Sequence, residues 1–180
     1  LQFYTLGRTL FDTSLSAEEI AEDYMRYAYG SKTEEFKKIL CDVESIIPHA
    51  YLSRKASAND KVSSIYNPAV AKNIEERLPT VLEAGRRLVK ENYNSDVRVE
   101  TVSVRLFEHY LDLVEWLGKL FSKKAAADDE GAKAIYPEFV DYFGKKECEL
   151  ERYFNQCFFF NYLNYYIFSA SNTSKTEFIL

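Results

Sequence analysis

Several residue types that carry chemistry in proteins are scarce in this chain. Its 180 residues include only two histidines, His49 and His109, and neither stands in an H-x-x-x-H or H-E-x-x-H arrangement. Imidazole-based metal binding and catalysis therefore have little support. The six glycines are isolated from one another, so no glycine-rich phosphate loop is present. We assign no catalytic residue, no metal ligand and no cofactor from the sequence.

The cysteines are few and do not form a recognisable framework. Cys41, Cys148 and Cys157 cannot all pair, and their spacing matches no zinc or redox motif. Cys148 and Cys157 point to opposite faces of any helix that contains both, because a helix has about 3.6 residues per turn. We expect buried free thiols.

A positive net charge and long apolar runs are also lacking. The formal net charge is −5, and the basic stripe that is typical of nucleic-acid-binding proteins is absent, so we expect no nucleic-acid partner. No uncharged apolar run reaches the roughly 18 residues that a membrane span needs, and we therefore expect no membrane span. The N-terminal residues do not resemble a signal peptide, and the sequence predicts no compartment.

Aromatic residues, in contrast, are abundant. The 14 tyrosines and 13 phenylalanines predict a core, or a docking surface, that is built largely from rings. Hydrophobic residues make up 47% of the chain, which at this length suffices for one core without disulfides or metal. We predict a single helical domain over residues 1–168 and a C-terminal tail over residues 169–180.

Apolar residues recur at helical spacing along most of the chain. Ser16 and Glu19 have the S-x-x-E spacing of a capping box, and Gly30 is typical of the end of the helix that follows. Helices are predicted over residues 68–91, which start with an Asn-Pro pair, over residues 97–121, and over a last long segment, residues 132–168, with irregularities at Pro137 and Gly144. No segment demands a sheet. The sequence therefore predicts an all-α bundle of five to six helices, two of them long.

The first twelve residues read as the interior of a folded domain rather than as the start of a protein. The run LQFYTLGRTLFD has no initiator methionine and is apolar and aromatic from Leu1, so we expect the chain to be a piece of a longer protein. Arg8 and Asp12 stand four residues apart between apolar residues. On a helix they face the same side and can pair with each other, or one of them can contact an adjoining domain.

The N-terminal run YTLGRTLFDTSLSAEEIAEDYMRYAYG resembles a signature of a bacterial family of unknown function that is related to α-glucuronidases and, more distantly, to β-N-acetylhexosaminidases. Phe11 stands where that family often has tryptophan. Residues 103–116, SVRLFEHYLDLVEW, are also similar to the family's helices. The matching residues are Arg8, Phe11-Asp12, Glu19, Asp23-Tyr24 and Tyr29-Gly30.

The resemblance implies a helical C-terminal region that follows a (β/α)₈ barrel and packs on it, with the catalytic carboxylates on the barrel loops. No residue of this chain matches the family's catalytic acid or base. We therefore expect a non-catalytic domain of a glycoside-hydrolase-like protein in which Arg8, Phe11 and Asp12 contact the upstream barrel. The resemblance also implies a role in homodimerisation. The aromatic run near Phe158 leaves open an alternative, an independent helical module that binds a carbohydrate or a protein.

Overall fold

The structure, a computed structural model, describes residues 2–47, 67–94 and 96–150, and of residues 2–5 the backbone alone. Within these residues every regular element is helical, and two of the helices, with 25 and 28 residues, are long. This confirms the predicted all-α bundle. The helices are α1 Gln2–Phe11, α2 Ala17–Tyr29, α3 Thr33–Ile46, α4 Pro68–Asn92, α5 Arg98–Ala125, α6 Asp129–Gly144 and the single turn α7 Glu147–Leu150, with a 3₁₀ turn at Gly30–Lys32.

The helices begin where local side chains accept hydrogen bonds from free backbone donors. At α2 the capping box is complete: Ser16 Oγ accepts from Glu19 N at 3.2 Å, and Glu19 Oε2 accepts from Ser16 N at 2.8 Å. At α4, Asn67 Oδ1 accepts from the amide nitrogen of residue 69 at 3.1 Å, and Pro68 opens the helix. The predicted starts of both helices are confirmed.

The described residues fall into two compact units. The first consists of those within ranges 1–43 and 80–113, and the second of those within ranges 44–79 and 114–150. Helices α3, α4 and α5 each contribute to both units. The predicted extent of one domain over residues 1–168 stays a prediction, and the predicted tail lies outside the described residues.

Aromatic rings form the core of the first unit. The Phe36 side chain is fully buried, and its ring stacks on Tyr29 at a centroid distance of 4.2 Å and meets Phe107 edge-on at 4.9 Å. Gly85 of α4 faces the buried Leu111 of α5, where an added β-carbon would lie 2.8 Å from the Leu111 side chain. The two long helices therefore approach closely because this position has no side chain.

The second unit has a corresponding core. Phe139 and Phe143 of α6 are buried and meet edge-on at a centroid distance of 5.2 Å. Gly118 of α5 faces the buried Leu78 of α4, whose side chain occupies the position that a β-carbon would need. Close helix contact at a glycine is therefore a feature of each unit.

The turn between α5 and α6 is held by four side chains. Asp128 caps α6 by accepting a hydrogen bond from Gly131 N at 2.8 Å, and it forms an ion pair with Lys123 at 2.9 Å. Lys124 is only 1% exposed, and its Nζ lies 2.6 Å from Asp129 Oδ1. A buried ammonium group requires such a partner, so this ion pair fixes the start of α6.

The expectation that the cysteines are buried is wrong for Cys41 and Cys148. Both are free thiols with exposed side chains. On α3, Ile39 and Val43 are buried in the core. Cys41 lies midway between them in the sequence, and at helical spacing its side chain therefore faces solvent. Cys157 lies outside the described residues.

Candidate interaction surface

Helix α1 carries three exposed apolar side chains, two of which are more exposed than any other large hydrophobic side chain described in the first unit, where Tyr27 of α2 follows at 66%. Leu6 and Leu10 are 58% and 75% exposed, and Phe11 is 95% exposed. Leu6 and Leu10 are one turn apart and share a side of the helix, with Phe11 next to Leu10. We call these three residues the α1 face. Since α1 packs on α2, the α1 face is the part of the helix that this contact leaves in solvent.

Arg8 fixes α1 to α2. Its Nη2 lies 3.6 Å from Asp23 Oδ2, with both side chains about half exposed. Arg8 therefore pairs with Asp23 and not with Asp12. This pair could not be predicted from the sequence, because spacing predicts contacts only between residues three or four apart on one helix, and Asp23 lies on another helix. The other alternative that the sequence leaves open, contact with an adjoining domain, stays a prediction.

Asp12 instead shapes the chain that leaves α1. Its Oδ1 accepts hydrogen bonds from the Ser14 amide at 3.0 Å and from the Ser14 hydroxyl at 2.6 Å. These bonds lower the pKa of the Asp12 carboxyl, with a smaller contribution from Arg8. Asp12 is therefore ionised at neutral pH and held in one orientation directly after Phe11.

Glu19 is a second oriented carboxylate near this end of α1. Its Oε2 accepts from both the amide and the hydroxyl of Ser16 at 2.8 Å, and these bonds lower its pKa. Glu19 lies in the first turn of α2, seven residues after Asp12, and the negative charge of Asp12 acts in the opposite direction on the Glu19 pKa. We call Asp12 and Glu19 the acidic collar.

A polar cleft of about 210 Å³ lies elsewhere in the first unit, over a floor that includes Phe36. Its Lys32 binds Glu35 at 3.2 Å, and the Asn92 side chain donates to a backbone oxygen at 2.8 Å. Burial raises the pKa of Tyr29, another lining residue, so its phenol stays protonated at neutral pH. No histidine or cysteine lines the cleft.

The second unit presents two aromatic rings with lysines over them. The rings of Trp116 and Tyr142 are 5.6 Å apart. Lys119 Nζ lies 4.6 Å from the Trp116 centroid, and Lys146 Nζ lies 4.7 Å from the Tyr142 centroid. These cation–π contacts occupy ring faces that a sugar would need. These contacts were not predicted from the sequence, although lysine stands three residues after Trp116 and four residues after Tyr142. The aromatic run near Phe158 lies outside the described residues.

The described residues were also compared with the requirements of a metal site and of a membrane span. No group of three or more His, Cys, Asp or Glu side chains there could hold a metal ion. Among the helices of residues 2–47, 67–94 and 96–150, none has the length and apolar character to cross a membrane. Comparison of the chain with models of protein families, with curated proteins and with solved structures finds no match.

Proposed function

We propose that this chain is a non-catalytic helical domain that docks on a folded partner through the α1 face. The proposed partner is the (β/α)₈ barrel of a glycoside-hydrolase-like protein, encoded ahead of this chain in the same polypeptide. The observation that supports docking is the exposure of Leu6, Leu10 and Phe11 on one short helix. The proposal of a barrel rests on the sequence resemblance, whose residues Arg8, Phe11 and Asp12 lie on α1 or directly after it.

The exposed apolar side chains favour docking energetically. Full burial of a leucine or phenylalanine side chain stabilises by roughly 1.5–3 kcal/mol. Burying the exposed fractions of Leu6, Leu10 and Phe11 would contribute on the order of 5 kcal/mol, before the costs of association. Such a gain makes docking favourable when the partner is tethered in the same chain.

The size of the α1 face favours a tethered partner over a second copy. Three such side chains expose on the order of 400 Å². Interfaces between domains of one chain bury about 300–750 Å² on each side, whereas a stable complex of free proteins buries about 800 Å² on each side. The α1 face fits the first class, and a homodimer would need further surface.

Binding in trans tests the docking proposal at about millimolar concentrations, which match the effective concentration that a tether supplies. The chain would be titrated by calorimetry with the polypeptide encoded ahead of Leu1, produced separately. Phe11→Ser should weaken binding by at least about tenfold, since it removes the largest buried side chain. Val97→Ser is the matched control, because Val97 is half exposed but lies outside α1, and its affinity should equal that of the wild type.

Two results would contradict the proposal. If the upstream polypeptide forms no barrel, the proposed partner is wrong, and if Phe11→Ser binds it as tightly as wild type does, α1 is not the docking element. The non-catalytic part is tested separately on aryl glycosides and glucuronoxylan. Hydrolysis of either substrate by the 180-residue chain alone would show that it is an enzyme.

A second candidate function is carbohydrate binding at the Trp116 and Tyr142 rings. Both rings are partly exposed, and rings of this kind bind sugars by stacking once a covering lysine moves aside. Trp116 is the single tryptophan of the chain, so its fluorescence reports on this surface alone. A saturable emission change on addition of oligosaccharides, lost in Tyr142→Ala, would favour the second candidate; the docking proposal predicts no change.

A further inference from the structure

Charge along the α1–α2 segment is strongly unequal. Residues 2–23 contain five carboxylates and a single cationic side chain, Arg8. The guanidinium of Arg8 already faces Asp23. The exposed apolar side chains therefore belong to an acidic stretch of the chain, in which Asp12 directly follows Phe11 and Glu19 lies in the first turn of α2.

The acidic collar is ready to accept further hydrogen bonds. Asp12 receives both of its bonds on Oδ1, and Glu19 receives both on Oε2. Within the described residues, Asp12 Oδ2 and Glu19 Oε1 make no hydrogen bond. Because serine contacts hold both carboxylates in place, a cationic partner group would pair with them at little cost in side-chain entropy.

From this arrangement we infer that the partner surface is an apolar pocket for Phe11 whose rim carries lysine or arginine side chains that pair with Asp12 and Glu19. The inference rests on the proposed docking function and adds the chemistry of the partner. Exposed charges at the edge of an apolar contact act mainly on the rate of association and on its salt dependence. Phe11 would then supply most of the affinity, and the acidic collar would supply orientation.

The same charges disfavour a second copy of this chain as the partner. A two-fold interface places the same patch of each copy against the other. Two α1 faces packed in this way would bring two acidic collars together, and like charges across an interface are unfavourable. A basic rim on a different surface has the complementary sign.

The test removes the charges but keeps the hydrogen bonds. In the double variant Asp12→Asn/Glu19→Gln, each amide oxygen can still accept from its serine, and glutamine is compatible with a capping box. Glu34→Gln/Glu44→Gln is the matched control, because it removes two exposed carboxylates from α3. Association of each protein with the upstream polypeptide would be followed by stopped flow at about 50 and 500 mM NaCl.

The expected results separate the inference from the docking proposal. Wild type and control should associate several-fold faster at low salt, and the Asp12→Asn/Glu19→Gln variant should be about threefold to tenfold slower there and nearly insensitive to salt. If Phe11→Ser abolishes binding but the charge variant associates like wild type, docking stands and the basic rim is wrong. If Phe11→Ser has no effect, the docking proposal itself fails. Sedimentation of the chain as a concentration-dependent dimer that Phe11→Ser disrupts would also overturn the inference.

Discussion

Arg86 of α4 donates a hydrogen bond to Asp112 of α5, with 2.8 Å between Nη1 and Oδ1. The Asp112 side chain is only 10% exposed, whereas that of Arg86 is 40% exposed. A buried carboxylate without a partner is costly, so the pair couples the two long helices within the first unit through a group that tolerates little change.

Replacement of Asp112 by alanine should therefore destabilise the protein. We expect a loss of about 1–3 kcal/mol in the free energy of unfolding, measured by urea denaturation. Asp141→Ala is the control, because Asp141 forms an exposed pair with Lys145 four residues away, and such pairs contribute little. Equal effects of the two substitutions would contradict the role given to burial.

Glycine-to-alanine substitutions should have opposite effects at two helical positions. Gly118→Ala places a β-carbon where the buried Leu78 side chain lies, and the cost of repacking should exceed the gain in helix propensity of about 1 kcal/mol. At Gly7 of α1 an added β-carbon meets nothing within 4 Å, so Gly7→Ala should stabilise. Thermal unfolding of both variants would show Tm decreasing in the first and increasing in the second; an increased Tm in Gly118→Ala would refute the close helix contact.

Gly30 should tolerate no other residue without loss of stability. Its φ of +54° lies in the region that favours glycine, and the Glu100 carboxyl carbon lies 2.9 Å from the position of an added β-carbon. We expect Gly30→Ala to cost about 1–3 kcal/mol. In the Glu100→Ala background only the backbone term should remain, so denaturation should show a smaller loss for Gly30→Ala in that background than in the wild type. A strictly additive pair would show that Glu100 does not contact this turn.

Asp128 should contribute to the acid dependence of stability. The Lys123 ammonium, and then the Gly131 amide, hold the pKa of the Asp128 carboxyl below its usual value of 3.8. A carboxyl with a lowered folded pKa stabilises the protein above its unfolded pKa, and this contribution is lost as the pH falls through the folded pKa.

The Asp128→Asn variant isolates that contribution, because asparagine can still cap the helix. Its free energy of unfolding should lie below that of wild type at pH 7, and the difference should shrink as the pH falls below about 4. Asp96→Asn, at an exposed residue, is the control for the removal of one negative charge. A difference for Asp128→Asn that is constant with pH would contradict the assigned pKa direction.

Local signals in the sequence were sufficient for the starts of α2 and α4 but not for that of α6, which begins at Asp129 after the Asp128 cap rather than at residue 132. The Ser16–Glu19 capping box, the Asn67–Pro68 start and the end of α2 at Gly30 all depend on residues within one turn of each other, and all are present. Helical spacing of apolar residues likewise predicted the all-α fold, because the period of an apolar stripe follows directly from the geometry of the helix.

Contacts between distant residues were not predictable in this way. The choice of Asp23 over Asp12 by Arg8 depends on how α1 packs on α2, and the closeness of Glu100 to Gly30 depends on the placement of α5. The exposure of Cys41 shows the same limit, since residue type alone favours burial. The roles of Arg8, Phe11 and Asp12 in contact with another domain stay predictions.

The exposed thiols of Cys41 and Cys148 place one natural labelling site in each compact unit. After Cys157→Ser, a donor and an acceptor dye could be attached there without adding a cysteine to the protein. Energy transfer between the dyes would then report the distance between Cys41 and Cys148 in single molecules, before and after the proposed partner is added. The chain thus carries its own attachment points for a distance measurement in solution.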